Sequence, residues 1–183
     1  MDISSLQPFR KDGSLNVIVE SPRGATIKMK YDGETGLMMM SRPLIAGLTY
    51  PHDWGFIPGT RGPDGDPADA MVLWDQSSYP GTLIPCRIIG MLSVDQKQPS
   101  GERVRNDRVM AVPVKDARCK DLQSIDDLPM RTRRELERFF LSSVAFEGKD
   151  LHILDWAGVE DARAFVLSQV SDSQELARTA RSS

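Results

Sequence analysis

The sequence predicts an α+β fold, mostly β: a strand-rich sheet or barrel over the first two thirds, with two helices from the last third packed on it. Two observations carry this. Early on, short apolar and β-branched runs alternate with Gly, Pro and Asp. After Asp126-Asp127-Leu128-Pro129 the apolar period lengthens to that of a helix. The 183 residues suit one domain, 1–183, with room for a core, and only the last thirteen, SDSQELARTARSS, read as a polar end that frays.

The predicted strands are Asn16 to Glu20, Ala25 to Tyr31, Leu37 to Met40, Ala70 to Trp74, Thr82 to Val94 and Arg108 to Val114. Between the second and third, Asp32-Gly33-Glu34-Thr35-Gly36 holds two glycines able to take positive φ and reads as a hairpin turn. Met130, Leu136, Phe139, Phe140 and Val144 then fall on one helical face, with Asp127 as the expected N-cap and Pro129 in the first turn. Leu151 to Trp156 reads as one more strand, and Val159, Ala162, Phe165, Val166 and Val170 mark the second helix.

Composition narrows the function. Twenty-three Lys and Arg against 26 Asp and Glu give a net charge of −3, so no global positive field recruits nucleic acid or an anionic membrane. There is no apolar run of about 18 residues to span a bilayer and no signal-peptide pattern at the start. Cys86 and Cys119 have no metal spacing and make no disulfide framework, which points to a reducing, cytoplasmic setting. Cys86, within an apolar run, reads as a core thiol.

The chemistry concentrates in Gly62-Pro63-Asp64-Gly65-Asp66-Pro67-Ala68-Asp69, three carboxylates within six residues. Pro67 keeps Asp66 out of the α region, so Asp64 and Asp66 project from extended chain as hard oxygen ligands for Mg²⁺. A solvated turn with Asx caps is the plain alternative. An EF-hand starting at Asp64 fails, because its sixth and twelfth positions hold Asp69 and Asp75 rather than Gly and Glu. Zinc is disfavoured because His52 and His152 stand alone, and neither a Gly-x-Ser-x-Gly elbow nor a P-loop is present. Phosphate, if bound, must be held by side chains. Lys28 and Lys30 share one face of their strand, and Arg42 follows the next.

These residues resemble the soluble inorganic pyrophosphatases of the Mg²⁺-dependent, barrel-folded family. The similarity runs through Val17-Ile18-Val19-Glu20-Ser21-Pro22, Ile27-Lys28, Ser41-Arg42, Tyr50-Pro51 and Trp54-Gly55-Phe56-Ile57 into Asp64-Gly65-Asp66-Pro67-Ala68-Asp69. It resumes at Cys86-Arg87-Ile88-Ile89-Gly90, Met110-Ala111-Val112-Pro113, Phe139-Phe140 and Asp155-Trp156, covering nearly the whole chain. The resemblance implies a five-stranded OB-like barrel with two C-terminal helices, a homo-oligomer (a hexamer in bacterial members) and hydrolysis of pyrophosphate with Mg²⁺, for which Mn²⁺ can substitute. By it Asp64 and Asp69 ligate metal, Asp66 helps deprotonate a water, and Glu20 sits in an outer carboxylate ring. Lys28 and Arg42 hold phosphate, and Tyr50 supports the site.

The sequence also departs from the family pattern. Lys30 replaces a Glu, and Trp54 replaces a phosphate-facing Tyr. Asn106-Asp107-Arg108 stands for Asp-x-Lys, so Asn106 takes a metal ligand's place and Arg108 a lysine's. Ser143-Val144 replaces Tyr-Lys, and Asp95 is left as a second candidate ligand, with Glu102 or Asp107 able to repair the shell. Lys30, Trp54, Arg108 and Ser143 thus join Lys28 and Arg42 as substrate-side positions. The site comes out about two charges more positive than the pattern, which weakens metal binding and favours direct cationic contact with phosphate. The alternatives are an enzyme for another phosphoanhydride, or a relative that binds pyrophosphate or a nucleotide without turnover.

Overall fold

The computed structural model describes residues 3, 6–63 and 65–181, the stretch 171–181 by its backbone alone. In chain order its elements are β1 (Leu15–Ser21), β2 (Ile27–Asp32), β3 (Leu37–Pro43), β4 (Asp53–Phe56), β5 (Asp69–Val72), β6 (Leu83–Lys97), β7 (Arg103–Arg105), β8 (Arg108–Pro113), α1 (Met130–Ser143), β9 (His152–Ala157) and α2 (Val159–Arg181). No helix among the described residues is long and apolar enough to cross a membrane.

The strands β1, β4, β5, β8 and β6 pair in that order, and β6 pairs back to β1, so five strands close a ring. This is the OB-like arrangement expected. The β5–β8 pair is parallel and the others in the ring antiparallel. The far half of the 15-residue β6 leaves the ring to pair with β7 and β9, while β2 and β3 form a separate hairpin.

Both faces of the ring strands are covered, which is why they read as continuous apolar runs rather than strict alternation. Ala70, Val72, Val109 and Ala111 pack with Ala162 and Val166 of α2. Their neighbours Met71, Met110 and Val112 pack with Leu136, Phe139 and Phe140 of α1. Cys86 is fully buried in the first of these clusters and its thiol is pushed up by that burial, as a core thiol should be.

Four expectations are revised. The short strands β4 and β7 were not among those predicted. Asp127 does not cap α1; its carboxylate accepts from Gln123 N and Ser124 N, both at 2.8 Å, closing a capping box on the preceding 3₁₀ turn, and α1 begins after Pro129 without a side-chain cap. The end expected to fray continues as helical backbone to Arg181.

Asp53 fixes the β4 entrance. Fully buried, it accepts from Arg23 N at 2.7 Å, Ser78 N at 3.1 Å and Trp74 Nε1 at 3.1 Å. Asp53→Asn turns an amide N–H₂ toward some of these donors, and is expected to lower unfolding free energy by about 2–3 kcal/mol in a urea titration. A change under about 0.5 kcal/mol would show that the carboxylate organises nothing.

Candidate active site

The Asp-rich loop joins β4 to β5 and is shaped by its own backbone. Gly65, at φ 85°, donates to Gly62 O at 3.0 Å, and Gly62 donates to Asp66 O at 2.7 Å. Thr60 staples the base: its hydroxyl donates to Ile57 O at 2.6 Å and accepts from Ala68 N at 2.9 Å. The loop therefore presents Asp66 and Asp69 on one side of a cleft. Asp64, the other expected ligand, lies outside the described residues.

The facing wall is cationic. Lys28 and Lys30 both line the cleft, as period-2 alternation requires, and Lys28 sits in register with Arg42 on β3. Like charges directly opposite on a hairpin cost stability unless an anion lies between them. Glu20 on β1, Asn106 before β8, and Tyr50, Trp54, Arg108 and Ser143 also line the cleft. All the substrate-side candidates thus converge, and with them Glu20, Asp66, Asp69 and Asn106.

Each acidic group has a definite environment. Glu20 is buried, accepts from Tyr31 N at 2.8 Å, and is pushed up to about 7 by that burial. Asp66 Oδ2 lies 2.5 Å from Lys30 Nζ, with both side chains about half exposed. Asp69 accepts from Arg108 Nη1 at 2.7 Å. Arg108, 5% exposed, lies between Trp54 and Phe140, its guanidinium carbon 5.2 and 5.0 Å from their ring centres. Trp54 therefore supports an arginine from its face.

The remaining groups are less direct. Burial holds the Lys28 ammonium below its usual range, opposed by Asp69 and reinforced by Lys149 and Arg108. Burial pushes the Tyr50 phenol up to about 12, against its hydrogen bond with Ser21. Ser143 lines the cleft, but its hydroxyl donates to Phe140 O at 2.9 Å and its carbonyl accepts from Arg42 Nη2 at 2.6 Å. Arg42 also pairs with Glu147 at 3.2 Å.

Asp95 is not brought to the cleft, which corrects its candidacy as a ligand. Arg103 binds its carboxylate through two nitrogens, and His152 Nδ1 lies 3.5 Å away. The pleat of β6 instead turns the next residue inward: Gln96, 2% exposed, lines the cleft. Asp107 is buried, accepting from Val94 N and Arg105, and Glu102 is exposed in the β6–β7 turn. Neither lines the cleft. Two lining residues went unforeseen, Gln96 and Lys149. Extending the β6 alternation two residues past Val94 would have found the first; no sequence signal marked the second.

An OB-like ring whose Asp-rich loop faces clustered lysines and arginines defines a protein built to handle a compact polyanion beside hard oxygen donors. The chain belongs to the inorganic pyrophosphatase family, whose profile matches residues 17–174. It is 38% identical over 160 residues to the inorganic pyrophosphatase of Synechocystis sp., covering 87% of this chain and 92% of that one. The relative from Streptomyces coelicolor is 37% identical over 150 residues, 81% of this chain and 89% of the other. Among solved structures, the inorganic pyrophosphatase of Thermus thermophilus superposes with a TM-score of 0.86 at 29% identity, over 95% of this chain and 99% of that one.

Proposed function

We propose that the chain hydrolyses inorganic pyrophosphate to two orthophosphates with the help of a divalent cation, Mg²⁺ or in its place Mn²⁺. The observation that carries this reading is the opposition of Asp66 and Asp69 to Lys28, Arg42 and Arg108 across one cleft. Family membership and the pyrophosphatase names of its relatives support it.

The donor chemistry fits such a cation. Asp66, Asp69 and Asn106 offer only oxygen ligands, the kind Mg²⁺ and Mn²⁺ prefer, and Lys30 already places a positive charge on Asp66. Asp69, together with Asp64, would hold the ion, with Asn106 as a weak neutral donor. When bound, it neutralises diphosphate charge and acidifies a water. The departures at Lys30 and Asn106 make the site poorer in carboxylate, which calls for a higher metal concentration.

The protein's own groups do the rest. Lys28, Arg42 and Arg108 bind the diphosphate and hold it in line for attack. Asp66 takes a proton from the attacking water as its oxygen bonds to phosphorus and the bridging P–O bond breaks. Lys30 must release or share Asp66 Oδ2 for that transfer, since the two lie 2.5 Å apart. The second phosphate leaves with its new charge facing the cationic wall.

Orthophosphate release from pyrophosphate, followed across Mg²⁺ and Mn²⁺ concentrations, tests the reading. Turnover that saturates with metal is expected. Its absence at every concentration of both ions overturns the reaction.

A further inference from the structure

Resting on that reading, we infer that the inner end of the cleft takes one phosphate group directly on side-chain donors, with no divalent cation between, and that Lys149 is the principal cation there. Three independent observations meet at this point. First, besides Asp69 and its partner Arg108 the inner cleft is lined by two amides, Gln96 from β6 and Asn106 before β8. An amide presents a neutral oxygen or an N–H donor, so it holds a divalent ion poorly and a phosphate oxygen well.

Second, the inner cleft holds uncompensated donors. Arg108 Nε is buried with no acceptor among the described residues. Lys28 and Arg42 stand in register across the β2–β3 hairpin. Lys28, Lys30, Arg42, Arg108 and Lys149 line the described cleft beside the acids Glu20, Asp66 and Asp69, with Glu147 adding one more acid on Arg42. A phosphate group supplies several acceptor oxygens and two negative charges in one compact body, which these donors lack.

Third, Lys149 is placed by a strained and heavily clamped turn. Asp150 is the one non-glycine residue with positive φ (42°) among those described. It is held there by Lys97 Nζ at 3.1 Å and Arg103 Nη1 at 2.9 Å on its carboxylate, and by Arg103 Nη2 at 2.7 Å on its carbonyl. Lys97 N donates to Lys149 O at 2.6 Å. Strain that the surroundings hold in place marks a position whose direction matters. Here it sets a lysine against the cleft, and no described residue pairs with its ammonium. Arg103 and Asp150 are thus positioning residues for Lys149, and Asp95 serves by orienting Arg103.

Calorimetric titration of orthophosphate into the full chain, in EDTA and again at saturating Mg²⁺, tests this. The expected result is binding in EDTA with a dissociation constant within about threefold of the Mg²⁺ value. Lys149→Met is expected to weaken it at least about tenfold and Lys149→Arg to keep it within about threefold, both with unchanged circular dichroism. Converting both amides, Q96D with N106D, is expected to abolish binding in EDTA and make it depend on Mg²⁺. No binding in EDTA, or an unchanged constant in Lys149→Met, overturns the inference. The hydrolysis assay separates the two readings. Turnover with strictly Mg²⁺-dependent phosphate binding overturns this inference alone. Phosphate binding in EDTA without turnover overturns the reaction and upholds the inference.

Discussion

Replacing Asp66 with asparagine is expected to lower metal-dependent phosphate release by about 10²–10⁴-fold, the usual worth of a positioned proton acceptor. The substitution keeps the side chain's size and leaves the turn intact, because Gly62 N bonds to Asp66 through its main-chain oxygen. What it removes is the charged acceptor that the attacking water needs. It also frees Lys30, whose 2.5 Å contact is with the Asp66 carboxylate. Because that pair is about half exposed, its loss should move stability by well under 1 kcal/mol, so chemistry and folding part cleanly. A urea titration beside the rate assay is therefore part of the measurement. Activity in Asp66→Asn within about threefold of the parent would remove Asp66 from the reaction and leave it a turn residue that happens to face cations.

Much of this arrangement was legible in the sequence because it is local. The Asp-rich loop encodes its turn in Gly65 and Pro67, and the alternation of β2 sets Lys28 and Lys30 toward one cleft whatever the rest of the chain does. The ring itself was announced by apolar runs whose two faces are both covered. Long-range choices were not legible. Asp95 and Gln96 are adjacent polar residues on one strand, and only the register of β6 against β7 and β9 decides which points inward. Asp127 has the chemistry of an N-cap, but the nearer donors at Gln123 and Ser124 win it for the preceding turn. Lys149 lies in a short loop with no period to read, and its direction depends on Lys97 and Arg103, about fifty residues away in sequence. Strand β7, Arg-Val-Arg, has too little apolar character to signal itself.

Strand β4 was missed for a reason that yields the second large effect. Its four residues, Asp-Trp-Gly-Phe, carry a central glycine, which weakens a strand in isolation and marks places where another backbone comes close. Gly55 is such a place. A Cβ built there would lie 1.9 Å from Ile18 O and 2.9 Å from Val19 Cα, both main-chain atoms of the paired strand β1. A flexible side chain could move aside, but these atoms belong to the ring, where β1 is buried along its whole length. Relief requires β1 and β4 to part. That breaks the ladder beside the irregularity at Val19 and Ser21 and displaces Trp54, the aromatic under Arg108. Gly55→Ala is therefore expected to cost more than about 4–5 kcal/mol, in the range reserved for backbone and core disruption, and to leave little folded protein at 37 °C. Circular dichroism melts and the soluble yield of the variant measure this. A melting temperature within about 3 °C of the parent would mean that β1 and β4 can separate at little cost, and that the ring is not the rigid frame holding the cleft.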